Sequence, residues 1–159
     1  MKAVWLIIGL CLTGIVNAED SIERMHAEKM ESFRSASLQW KDEPILPKGA
    51  KSALLVGDPT KAGVFIVRLK FPAHYPIPAH THPFTEVITV LKGKLGNGMG
   101  NKLNKQHGEI LHVGDSFVLP TNHAHYVWTE DEETEVELIA TGPWDITYID
   151  AKDDPRKAK

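Results

Sequence analysis

Cysteine is almost missing from this chain: Cys11 is the single one in 159 residues, and it lies in an apolar run at the N-terminus. Once residues 1–18 are removed, the chain has no disulfide, no thiolate ligand and no cysteine nucleophile. An excess of positive charge is also missing. Eighteen Lys and Arg face 21 Asp and Glu, a formal net charge of −3, and loss of Lys2 with the leader makes it −4. That charge gives no reason to expect nucleic acid or an anionic membrane as partner. No Gly-x-Ser-x-Gly elbow is present, so Ser-His-Asp catalysis has no support. Internal repeats, low-complexity tracts and an apolar run long enough for a membrane span are absent too. Val4 to Val16 is apolar, Lys2 precedes it, and Val16-Asn17-Ala18 is a small-residue cleavage site. These features predict a cleaved secretory signal over 1–18, a periplasmic or secreted protein, and no stable membrane insertion after cleavage. Export permits disulfides without requiring them.

What remains, Glu19 to Lys159, is enough for one hydrophobic core and too little for two comfortable domains. Ser21 to about Leu38 reads as a helix, with Ser21 as cap and Ile22, Met25, Met30 and Phe33 near one face, so 19–40 forms an N-terminal helical segment. Asp42 to Ala50, with Pro44, Pro47 and Gly49, is a connector. From there the chain reads as strand. Ser52–Val56 ends at a Gly57-Asp-Pro-Thr60 turn, and Phe65, Val67 and Leu69 alternate with Arg68 and Lys70. Glu86–Leu91 is apolar on both parities apart from threonine. Gly108–Val113, Ser116–Leu119, the alternation Val136/Leu138/Ala140 and Ile146–Ile149 complete the set. Many short strands with Gly and Pro turns predict an all-β antiparallel barrel or double-sheet jelly roll over 41–155. Asp150 to Lys159 is charged and reads as a solvated tail.

Two stretches carry the chemistry. In Pro78-Ala-His-Thr-His-Pro-Phe-Thr-Glu86, His80 and His82 share strand parity and Glu86 follows, with Pro83 interrupting the count. Imidazoles plus one carboxylate suit a hard-to-borderline divalent metal; solvated histidines at a turn are the alternative. In Gly114 to Trp128, His123 and His125 lead into a strand on one parity, and either can complete the shell or pack beside Tyr126 and Trp128. Two His-x-His elements among only eight histidines favour the metal. His123 reads as a neighbour of the shell, a pocket wall or an exposed turn residue. His74 and Tyr75 stand before the first stretch as candidates for a barrel mouth. Phe84, Met99 and Trp128 are candidates for the pocket or for barrel filling, and His107 and His112 for the surface.

The first stretch resembles the first motif of the cupin superfamily, His-x-His, three residues, Glu, six residues, Gly, at His80, His82, Glu86 and Gly93. The second resembles the second motif at Gly114, Pro120 and His125, with Asn122 where the family has glycine and Thr129 where many members have asparagine. Leu95-Gly-Asn-Gly-Met-Gly100, His125-Tyr-Val-Trp128 and Gly142-Pro-Trp-Asp to Pro155 are similar to a subgroup of small, exported, single-domain bacterial cupins. The likeness runs from Trp40 to Pro155. It implies a double-stranded β-helix, or jelly-roll barrel, with His80, His82, Glu86 and His125 around one divalent transition metal. Iron, manganese, zinc, nickel and copper all accept such ligands. Four protein ligands on an octahedral ion leave two positions for water, oxygen or substrate. The implied function is a dioxygenase-like oxidoreductase acting on a small organic molecule, with Glu86 also catalytic. A non-catalytic ligand-binding module and a germin-like manganese protein handling oxalate or superoxide are the alternatives. Partly two-faced strands at 63–71 and 86–91, and the pairing of related cupins through sheet faces, predict a homodimer.

Overall fold

Alternation of apolar and polar residues over 63–71 and 134–142 sets two long neighbouring strands, and the rest of the barrel is assembled around them. The computed structural model describes residues 30–157. Among these residues, eleven antiparallel strands form two facing sheets. The first contains β1 (Lys41–Asp42), β2 (Lys51–Val56), β3 (Gly63–Phe71), β5 (Glu86–Lys92), β8 (Ser116–Leu119) and β10 (Thr134–Gly142), in the order β1-β2-β3-β10-β5-β8. The second contains β4 (Pro76–Thr81), β6 (Leu95–Met99), β7 (Glu109–Leu111), β9 (His125–Thr129) and β11 (Thr147–Tyr148), in the order β11-β4-β9-β6-β7. This is the expected antiparallel jelly roll.

The period of two decides what is inside. Phe65, Val67 and Leu69 of β3, Val136 and Leu138 of β10 and Ile88 and Val90 of β5 face Ile77, Leu95 and Val127 of the other sheet. Phe65 and Val136 are fully buried, and truncating a phenylalanine at such a place costs about 3–5 kcal/mol. Glu86–Lys92 alternates buried with half-buried residues, so burial on both faces is only partial.

Strands β4 and β6 do not stand out in the sequence. Proline at 76 and 78 masks the first, and glycine at 96 and 98 the second. The glycines have a packing reason. Gly96 is opposite Trp128 and Gly98 opposite Tyr126, and a Cβ at either would overlap those rings. Close backbone approach is what lets the two aromatics lie over β6.

The connector after β1 closes part of the barrel. Leu46 and Ala50 are buried against the main core. Tyr148 donates to the Ile45 carbonyl at 3.0 Å, and the Tyr75 hydroxyl donates to the Pro47 carbonyl. Two phenols, one from β11 and one just before β4, thus pin the connector.

Two expectations change. The expected helix from Ser21 lies partly outside the described residues; from Met30 to Leu38 only Ser35–Ser37 is helical, as a single 3-10 turn. Arg34 to Trp40 gains more from the barrel than from helix, because Arg68 donates to Ser35 at 2.8 Å and the Lys70 ammonium lies 4.2 Å over the Trp40 ring. The segment from Asp150 to Lys157 is not a free tail. Asp154 is buried, and Arg156 donates to it at 2.8 Å, to Asp145 at 3.1 Å and to the Ile146 carbonyl at 2.8 Å. Charge alone cannot distinguish a solvated arginine from one that ties down a neighbouring loop.

Candidate metal centre

His80 stands near the end of β4, directly opposite His125 at the start of β9. The register between these strands shifts between Ile77 and His80, and the irregularity turns both side chains into the barrel despite their odd separation. His82 follows β4, and Glu86 opens β5 in the opposite sheet, between Leu119 and Ala140. The histidines therefore come from one sheet and the carboxylate from the other.

The three imidazoles His80, His82 and His125 each offer a ligand atom within 4.8 Å of the other two, and all three are buried. Glu86 joins through His82, whose Nε2 lies 3.5 Å from Glu86 Oε2. Two rings are held by their far nitrogens. His80 Nδ1 donates to the Pro78 carbonyl at 2.6 Å, and His82 Nδ1 to the Asp145 carbonyl at 2.8 Å. With Nδ1 protonated, each Nε2 carries its lone pair into the barrel. Both nitrogens of His125 and Oε1 of Glu86 are buried without a hydrogen-bond partner.

The turn before His125 is built for this placement. Asn122 has φ 60°, the left-handed conformation in which asparagine can replace glycine, and its N–H donates to the His82 carbonyl at 2.8 Å. Gly93, ending the first motif, has φ 73°, and a Cβ there would sit 2.7 Å from the Glu133 carbonyl oxygen. Thr129 forms its own contacts: it donates to the Pro72 carbonyl at 2.6 Å and accepts from the Tyr75 N–H at 2.8 Å.

Burial sets the protonation states. Loss of solvation pulls His80 down to about 3 and His82 to about 4, and puts His125 well below its ordinary value. Mutual repulsion adds to this for His80 and His125. Burial pushes Glu86 up to about 8. The Trp144 indole opposes that rise as a donor, although its Nε1 makes no hydrogen bond of normal geometry. Neutral imidazoles, lone pairs directed inward and an unpartnered carboxylate oxygen fit a divalent metal, which needs deprotonated ligands and would supply the missing charge partner.

The remaining sequence candidates separate clearly. His123 is exposed and bonds only to the Thr121 carbonyl. Met99 is 52% exposed and does not line the pocket: it is paired with His125 on the inward parity of β6, but it is the last residue of that strand. Phe84 is buried and stacks on His82 with ring centroids 5.5 Å apart. Tyr75 is buried on Phe71 and serves the connector. Trp128 packs in a second cluster with Ala79 and Tyr126, and donates to Glu130 at 2.6 Å. His74 is exposed at φ 55° beside Asp131. Residue-by-residue reading misses Trp144 and the Asp145 carbonyl. Their segment, Gly142-Pro-Trp-Asp, is visible in the sequence only as a family-like string without a role.

The described residues form one β-barrel with a buried three-histidine cluster that could hold a metal ion. Residues 59–148 match the family described as Cupin, and the chain belongs to the cupin family. It is 35% identical over 95 residues to a germin-like protein of Oryza sativa subsp. japonica, covering 56% of this chain and 43% of that one. A germin-like protein of Arabidopsis thaliana is 32% identical over 81 residues, covering 50% and 38%. The matched segment thus spans less than half the length of these relatives. Among solved structures, the polyketide cyclase of Streptomyces resistomycificus superposes with a TM-score of 0.65 at 17% identity, covering 80% of this chain and 90% of that one. An oxalate oxidase superposes at 0.53 with 20% identity, covering 74% and 62%. At those identities the likeness is one of fold.

Proposed function

We propose that this cupin holds one divalent transition metal on His80, His82, Glu86 and His125 and works as a dioxygenase-like oxidoreductase on a small organic molecule. The observation that carries this is the convergence of three buried, neutral imidazoles and a carboxylate with one unpartnered oxygen on one apolar cavity. A divalent metal would answer all of these groups at once. A bound redox metal would supply electron exchange with oxygen and Lewis-acid polarisation of a substrate oxygen. The chain's own part is to keep the imidazoles neutral, hold His80 and His82 by Nδ1, and exclude water with a hydrocarbon wall. Glu86, ionised against the metal and buried in the same wall, is the group we assign to take a proton from substrate.

Glu86→Gln tests the enzymatic part, because it keeps a coordinating oxygen and removes the charge and basicity. In an enzyme it keeps appreciable metal and lowers turnover by about 10²-fold or more. In a non-catalytic module, metal and ligand affinity fall together and neither form turns anything over. Elemental analysis of protein purified without a His-tag identifies the metal, oxygen uptake with diketones, flavonols, thiols and oxalate tests turnover, and superoxide is followed by its own disappearance. The similarity to germin-like proteins favours a second reading, a manganese protein acting on oxalate or superoxide. Manganese in the native protein together with oxalate turnover would select it.

Two further parts of the proposal concern setting. Export to the periplasm or outside the cell is supported by the leader-like composition of residues 1–18, and an N-terminus at Glu19 in the exported protein would establish it. A homodimer through the outer face of the first sheet is supported by an apolar row across five strands. Val56, Ile66, Ile139, Val87 and Val118 are successive partners in the ladder, half-buried or exposed, with Val118 at 62%.

A further inference from the structure

The cavity beside the four proposed ligands has a wall of one chemical kind. Apart from His80, His82, Glu86, His125 and Trp144, every side chain lining it is Leu, Ile, Val or Phe. Among the described residues, no lysine, arginine, amide or hydroxyl lines it. Arg156, which anchors the segment carrying Trp144, commits its guanidinium to Asp145, Asp154 and the Ile146 carbonyl. Among the lining residues Trp144 Nε1–H is a neutral donor that makes no hydrogen bond of normal geometry. The cavity measures about 30 Å³, where about 10–15 Å³ suffices for one water.

Charge then selects the ligand. A divalent ion bound by one carboxylate leaves one net positive charge in a hydrocarbon chamber. A singly charged anion cancels it. A dianion reverses it, leaving a negative charge with no cation to meet it in a medium where uncompensated charge is costly. Resting on the metal reading above, we propose that the site takes a small monoanion that chelates through two oxygens and carries a short apolar remainder, such as a 2-oxo monocarboxylate, and rejects dicarboxylates. The apolar remainder lies against Leu, Ile and Val, and Trp144 Nε1–H is available to one substrate oxygen.

The test uses full-length protein loaded with Mn(II), with metal content measured before and after each titration. Pyruvate, oxamate and oxalate are compared by calorimetry at neutral pH, and each affinity is divided by that ligand's affinity for the free aqueous ion. Oxamate has nearly the shape of oxalate with one charge fewer, so the pair isolates charge. Pyruvate and oxamate should exceed oxalate at least tenfold on this scale, and 2-oxobutanoate should bind no more weakly than pyruvate. Extraction of the metal by oxalate without a ternary complex agrees with the proposal. Oxalate equal to or better than oxamate, with metal retained, overturns it and leaves the metal centre standing. Failure of the protein to retain metal at all overturns the metal reading and this proposal with it.

Discussion

His82 donates its Nδ1–H to the backbone carbonyl of Asp145, 2.8 Å away and 63 residues later in the chain. A histidine of the first motif is therefore oriented by the segment that closes the barrel. Asp145 is itself held by Arg156 at 3.1 Å, and the neighbouring Ile146 carbonyl by the same guanidinium at 2.8 Å. Arg156→Ala removes these holds without touching a proposed ligand. Metal affinity should fall on the order of tenfold, the low end of what losing an orienting partner costs. A competitive chelator titration measures it, and unchanged affinity would mean that the segment holds His82 without Arg156.

Register and burial single out His125 over His123. His125 faces His80 with ring centroids 4.3 Å apart, whereas His123 points to solvent. His125→Ala should abolish stoichiometric metal binding, and His123→Ala should retain it. Metal-to-protein ratios after desalting decide between them, and the opposite ranking would sink the proposed ligand set.

Metal and pH should act together on stability. Without metal, His80 and His82 titrate far below their unfolded values, so the unfolded chain binds protons that the folded chain refuses as pH falls below about 6.5. Stability then drops by roughly 1.4 kcal/mol per pH unit for each such histidine. Glu86 acts in the opposite direction. Between 4.5 and about 8 the folded carboxyl keeps a proton that the unfolded one has lost, so stability also declines as pH rises toward 8. Metal-free protein should be most stable near neutral pH, and metal should abolish the alkaline decline. Metal at a hundredfold excess over its dissociation constant adds about 2.7 kcal/mol. Denaturant melts across pH 5 to 8, with metal and with chelator, measure both effects; identical curves would rule out a buried site.

Ile139→Glu places a charge in the middle of the apolar row on the first sheet. Ile139 is 37% exposed, so the folded monomer should tolerate the change. Light scattering should show the unmodified chain at twice the mass of one chain and the variant at the mass of one. A clean monomer for the unmodified chain removes the dimer.

Much of the barrel is legible in the residues because it is written in local periods. Phe65, Val67 and Leu69 declare an inner face by alternation alone, and β3 and β8 begin and end where the pattern says. Asn122 could be assigned positive φ because few other residues visit that conformation, and it has φ 60°. Strand parity paired His80 with His82 but left His123 and His125 level, and the likeness to the second cupin motif chose His125.

Tertiary structure alone decided the rest. Parity gives no warning of the irregularity that turns Ile77 and His80 to the same side, because a bulge depends on the partner strand. Nothing local marks Trp144 as a cavity residue, the Asp145 carbonyl as the anchor of His82, or Arg156 as a tie across the closing loop. Each depends on contacts between segments distant in sequence. The same holds for the absence of a cation from the cavity wall. Composition supplies 18 lysines and arginines over the whole chain, and only packing determines that none of those among the described residues lines the cavity.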